Sequence, residues 1–215
     1  MRQSFHFIFL VIITMCTISF MKIDGYELPL LGKTIYLDAG HGGVDVGARY
    51  KEIYEKDINL EIVNLLASKL ENMGATVYLT RYGDYDLSNV GVRYRKKSDL
   101  YNRAKVINNS NADIYVSIHL NSTTSSIWRG AQVFYDDINE NNFSLATAIT
   151  KYLDTYREVS EINNMYFNRL VKIPGVLIEV GFLSNSTDRN NLVRKDYQEK
   201  MVDMIIRGII EYFAM

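Results

Sequence analysis

From Lys33 onward the chain alternates short β-branched apolar runs with longer stretches whose apolar residues recur at helical spacing, and this alternation is the signature of an α/β domain. Thr34 to Asp38 reads as a buried strand running into a glycine-rich loop, Ala39 to Gly47. Ile58, Ile62, Leu65, Leu66, Leu70 and Met73 mark one face of a helix, and Gly74 stands where a C-terminal cap belongs. Thr76 to Thr80 is predicted as a strand, Asp99 to Ser110 as a helix and Ile114 to Leu120 as a strand. A strand over Ala131 to Tyr135, a helix over Phe143 to Tyr156 and a strand over Pro174 to Val180 follow. The last helix starts near Asp196, where Asp196 and Glu199 match a capping box. Residues 82–98 show no regular pattern, and the run Arg93-Tyr94-Arg95-Lys96-Lys97 within them reads as a solvated loop, ahead of a site for an anionic polymer or a partner surface.

The 215 residues, 47% apolar and 23% charged, suit one globular domain, and there is no internal repeat. Lys and Arg total 24 against 25 Asp and Glu, a net charge of -1 that gives no global reason to expect a nucleic-acid partner. The single cysteine, Cys16, excludes intramolecular disulfides and Cys-based metal sites, so metal or catalytic work falls to His, Asp and Glu.

Ahead of the domain, Arg2 precedes an apolar run from Phe5 to Met21. Residues 1–25 read as an export segment, either a cleaved signal peptide or an uncleaved membrane anchor: the run is shorter than the roughly 20 residues that span a bilayer, yet no small-x-small cleavage site follows. The folded domain is expected to occupy residues 33–215 and to work outside the cytoplasm.

Of three histidines, His6 belongs to the export segment, which leaves His41 and His119, each at the end of a predicted strand. The carboxyl ends of strands are where α/β sheets build sites, and two strand-end histidines can converge there on a metal. Zinc in hydrolytic sites takes three protein ligands, and two histidines with a glutamate are one such set. Asp45, Glu52 and Glu55 are candidates for the third ligand, with Glu55 favoured because it opens a helix. Glu179 lies inside the apolar run Val176 to Phe182, where a carboxylate must meet a cation, as in a structural salt bridge, or face a cavity as a general base. Asn121, two residues beyond His119, either bonds substrate, orients that ligand or caps a loop.

Four segments in this order resemble the zinc-dependent N-acetylmuramoyl-L-alanine amidases: Asp38-Ala39-Gly40-His41-Gly42-Gly43, Glu55-Lys56-Asp57-Ile58-Asn59-Leu60, Ser117-Ile118-His119-Leu120-Asn121, and Ile178-Glu179-Val180-Gly181-Phe182-Leu183-Ser184-Asn185. Thr80-Arg81, the step from Leu100 to Arg103 and Ala112-Asp113 also fit, while Ala39 stands where many members carry proline. The resemblance implies a single α/β domain with a central, mostly parallel sheet flanked by helices. It also implies a zinc ion held by His41, Glu55 and His119, with Glu179 as the catalytic acid/base. The implied substrate is the amide between muramic acid and L-alanine in peptidoglycan. Short anchored members resemble the germination-specific amidases of spore-formers, which prepare the cortex for muramic-δ-lactam. A general autolysin and a catalytically silent wall-binding module are the alternatives. The expected location is the outer face of a bacterial membrane or wall, including the developing spore envelope. Membrane attachment through the N-terminal segment and an envelope protein partner or homodimer complete the expectations.

Overall fold

Strand β1 (Thr34–Ala39) sends its side chains alternately to two sides, and this period of two divides the molecule. Ile35, Leu37 and Ala39 enter a large apolar core, whereas Tyr36 enters a smaller one on the opposite face, the face toward which Asp38 also points. The computed structural model describes residues 28–215, so the export segment expected over residues 1–25 lies outside the described residues.

The chain continues through the two-residue strands β2 (Arg49–Tyr50) and β3 (Ile53–Tyr54), helix α1 (Glu55–Asn72) and strand β4 (Thr76–Leu79). Helix α2 (Arg95–Asn108), strands β5 (Ile114–Asn121) and β6 (Gln132–Tyr135), helix α3 (Asn142–Thr150) and strand β7 (Ser160–Glu161) follow. A 3₁₀ turn at Asn168–Leu170 leads to strand β8 (Gly175–Phe182) and helices α4 (Ser186–Leu192) and α5 (Lys195–Ala214). The main sheet has six strands in the order β4-β1-β5-β8-β6-β7. β4, β1, β5 and β8 pair in parallel, and only the β6–β8 pair is antiparallel. The expected α/β architecture with a mostly parallel central sheet is therefore present.

The large core lies between the sheet and α1, α3 and α5, filled by Ile62, Leu66 and Leu70 of α1, Leu145 and Ile149 of α3, and Val202, Ile205 and Ile209 of α5. α1 ends as its sequence predicts. Gly74 takes φ +92°, its N–H reaches the Glu71 carbonyl at 3.0 Å, and the Ala75 N–H reaches that of Leu70 at 3.1 Å, a Schellman closure. The other face is covered more thinly by α2 and the segment around the 3₁₀ turn, where Ala104, Ile107, Tyr115, Phe167 and Val171 meet.

Several boundaries differ from expectation. α1 opens at Glu55, three residues ahead of Ile58. α2 starts at Arg95, four residues ahead of Asp99, so Arg95, Lys96 and Lys97 form its first turn instead of a loop. Cations are unfavourable at a helix start, but Arg95 is paired with Asp86 and Lys96 lies 3.8 Å from Asp45. α3 stops at Thr150, where the Tyr152 and Leu153 N–H groups reach back only three residues, and Thr155 turns its hydroxyl to the Ala131 carbonyl at 2.6 Å. The capping box at α5 is not made: the helix begins at Lys195 without a side-chain cap, and Asp196 pairs with Arg194.

Candidate active site

Because β1, β5 and β8 are adjacent and parallel, their carboxyl ends open at one place. β5 directs Ile114, Val116, Ile118 and Leu120 into the large core, which turns His119 to the other face, and the register sets Glu179 of β8 beside His119. The same alternation answers how an apolar strand accommodates Glu179: its neighbours Ile178 and Val180 enter the core while it faces the thinly covered side. There a cavity of about 380 Å³ is lined by His41, Glu55, His119, Asn121, Asn168 and Glu179, among others.

Glu55, the first residue of α1, reaches between the two imidazoles. His41 Nε2 lies 3.1 Å and His119 Nδ1 3.0 Å from its Oε1. Its carboxylate also accepts the Ala48 N–H at 2.7 Å and the Leu120 N–H at 3.0 Å. Burial alone would raise the Glu55 pKa, but the hydrogen bonds from His119 and His41 hold it well below the usual carboxylate range. Burial likewise opposes charge on His41, yet Glu55 and Asp45 together raise its pKa above the ordinary value. Ligand atoms of His41, Glu55 and His119 all lie within 4.8 Å of one another, so the three form a group that can hold a metal ion. The donor set, His₂Glu, fits zinc, and Asp45 Oδ2 lies 3.1 Å from the far nitrogen of His41 as a nearby counter-charge, without a hydrogen bond between them.

The competing carboxylates occupy other positions. Asp45 stands behind His41, and Glu52 is exposed in the β2–β3 turn, accepting from Tyr54 and pairing with Arg49. Asn121 closes β5 with its carbonyl accepting the Leu183 N–H at 2.8 Å, and its side chain makes no hydrogen bond among the described residues. Among the described residues Glu179 makes no ion pair, so the structural salt bridge is not found there, and its buried Oε2 has no hydrogen-bond partner. Burial pushes its pKa up to about 7, with His119 opposing and Glu55 reinforcing the shift.

His41 adopts φ +63°, a left-handed backbone that a β-carbon disfavours. Two buried arginines hold the loop in that shape. Arg81 donates to the carbonyls of Ala39 at 2.9 Å, Gly40 at 3.1 Å and Lys56 at 2.7 Å. Arg103 donates to those of Ala39, at 2.7 Å, and His41. Asp38 and Asp99 flank Arg103 at 2.8 and 3.0 Å, and Thr80 and Ser117 complete the bonding of Asp38. Gly40 lets the loop pass against His119, since a Cβ at residue 40 would sit 2.2 Å from Cε1 of that ring.

Asp38 and Arg103 escaped the reading of single residues, although a carboxylate ending an apolar strand is the signal that singled out Glu179. Asn168 carried no signal, being one polar residue in an irregular stretch.

A family model described as N-acetylmuramoyl-L-alanine amidase matches residues 35–211. A germination-specific N-acetylmuramoyl-L-alanine amidase of Bacillus subtilis is 40% identical, over 98% of this chain and 94% of its own length. The CwlD amidase of Clostridioides difficile, solved in complex with the GerS lipoprotein, superposes with a TM-score of 0.81 at 40% identity, covering 85% of this chain and 98% of that one. The catalytic domain of CwlV, an N-acetylmuramoyl-L-alanine amidase of Bacillus (Paenibacillus) polymyxa var. colistinus, gives 0.74 at 33% identity, covering 85% and 98%. With the match spanning every strand that builds the site, the chain belongs to the N-acetylmuramoyl-L-alanine amidase family.

Proposed function

We propose that this protein hydrolyses the amide between N-acetylmuramic acid and L-alanine in peptidoglycan, with zinc held by His41, Glu55 and His119 and with Glu179 as the proton carrier. The observation that carries the reading is the convergence of the His₂Glu group and an unpaired, buried carboxyl on one cavity at the strand ends.

A zinc ion at this group supplies Lewis acidity toward water and toward the scissile carbonyl oxygen. The protein's part begins with Glu55, whose ionised carboxylate is held between the two imidazoles. Glu179 takes a proton from the attacking water at Oε2, the atom left without a partner, and returns it to the departing alanine amine. A carboxyl raised to about 7 by its apolar surroundings suits both halves of that cycle. Asn121, on the cavity wall with a free carboxamide, bonds the substrate there.

The likeness to a germination-specific enzyme over nearly the whole chain supports a role in the spore cortex, where the product muramic acid goes on to muramic-δ-lactam. The substrate sets the place of action outside the cytoplasm. No helix among the described residues is long and apolar enough to cross a membrane, so attachment rests on the N-terminal segment. The Clostridioides difficile relative in its lipoprotein complex supports an envelope protein partner for this chain as well.

Incubation of the protein with zinc and defined muropeptides, followed by mass spectrometry, should release the stem peptide with a free L-alanine amine. Glu179→Gln should fold, retain zinc and lose activity by about 10²- to 10⁴-fold. Near-normal turnover in that variant, or cleavage at another bond, overturns the assignment.

A further inference from the structure

The 3₁₀ turn at Asn168–Leu170 walls the same cavity as Glu179 and His119, and Asn168 is 1% exposed. Neither its Oδ1 nor its Nδ2 has a hydrogen-bond partner among the described residues. Other buried side-chain amides of the described chain are better served: Asn59 leaves only its oxygen unpaired, and Asn142 donates to Asp136 and accepts from the Gly175 N–H. Folding normally satisfies such groups, and an amide left unmatched at both ends is destabilising unless something else completes it.

The turn cannot relieve this by moving. Phe167, the residue before Asn168, is buried edge-on against Tyr115, with ring centres 5.9 Å apart. On the far side, Asn108 of α2 donates to the Leu170 carbonyl at 2.7 Å and accepts the Lys172 N–H at 2.8 Å. The backbone that carries Asn168 is thus anchored at the wall of the reaction cavity, and the unpaired donor and acceptor of its side chain lie just beneath that wall.

We infer that Asn168 is a substrate-recognition residue whose carboxamide bonds amide N–H or C=O groups of the substrate, an inference that rests on the amidase reading above. An extended peptide residue presents its own N–H and C=O on one side, a match for a carboxamide's oxygen and NH₂ group. The substrate carries amides in two places: the stem peptide beyond alanine can offer an N–H and a C=O together, while the acetamido group on the sugar, whose N–H and C=O point opposite ways, offers one of them.

Asn168→Leu removes both polar atoms at nearly constant volume. In the free protein it should leave Tm unchanged or higher, because an unmatched amide is gone. With an intact muropeptide, kcat/KM should fall about tenfold or more, mainly through KM. The penalty should vanish on the substrate lacking the recognised amide: muramoyl-L-alanine without further peptide assigns the stem, and a de-N-acetylated muropeptide assigns the sugar. A lower Tm with an unchanged kcat/KM, or an equal penalty on all three substrates, overturns the proposal and makes Asn168 a structural residue. Asn168→Ala carries the same comparison should the leucine variant not fold. Calorimetric titration of intact muropeptide into Glu179→Gln with and without Asn168→Leu reads binding without turnover, so loss of binding supports the role and equal binding removes it. Failure of the parent protein to cleave any of the muropeptides would instead overturn the amidase reading itself.

Discussion

At position 40 a single methyl group would lie 2.2 Å from the His119 ring, closer than any real contact, so Gly40→Ala must push the imidazole aside or bend the loop that carries His41. The core lies on the other face of the sheet and is untouched. The variant should therefore keep its circular dichroism while bound zinc and amide hydrolysis both fall at least tenfold. Full zinc content in Gly40→Ala would show that the histidines tolerate more displacement than the close approach implies. Asp38 makes a separate prediction about acid. Burial alone would raise its pKa, but Arg103, Ser117 and Thr80 hold it at about 2 against the ordinary 3.8. A depressed carboxyl stabilises the fold above its unfolded pKa and loses that contribution as pH falls through the folded one. Denaturant unfolding should therefore show about 2 kcal/mol of stability disappearing between roughly pH 4 and pH 2, and Asp38→Asn should flatten that part of the profile.

Helix α2 supplies the guanidinium on which Asp38, Asp99 and the His41 loop all depend. Arg103→Ala would leave two carboxylates buried without a counter-charge, and urea unfolding should register a loss of roughly 3–5 kcal/mol. Arg103→Lys should recover only part of it, since one ammonium cannot span Asp38, Asp99 and two carbonyls as the planar fork does. The elements that build the site were mostly legible in the sequence. β1, β5 and β8 are long apolar runs, and α1 repeats Ile58, Ile62, Leu66 and Leu70 on one face before Gly74 ends it. The helix-start position of Glu55, the strand-end positions of the histidines and the misplaced charge of Glu179 could be read from the same runs. What escaped was decided by contacts between distant residues. β2, β3 and β7 have two residues each, too few to show a period. α4 has seven residues and depends on the Asn185 side chain, which caps it by accepting the Thr187 and Asp188 N–H groups at 2.9 and 3.1 Å. The first turn of α2 is basic and looked like a loop until Asp86 and Asp45 supplied the opposing charge.

In the whole molecule, the parallel strands β4, β1, β5 and β8 are never joined by a hairpin, so each pairing waits for a helix and its loops to be made first. The face that buries Ile62 and Leu66 is completed by α5, whose Val202, Ile205 and Ile209 follow every other element of the core in the chain. A fragment of residues 28–194 should accordingly show little cooperative thermal unfolding, and a sharp transition in that fragment would show that α5 is an accessory layer. The late position of α5 also sets an order of events in time. A chain delivered across a membrane from its N-terminus has no finished core until residues 195–214 emerge beside the rest. If this chain is exported in that order, it would stay a pliable thread through transit, and the reactive cavity would be assembled only after residues 195–214 had crossed.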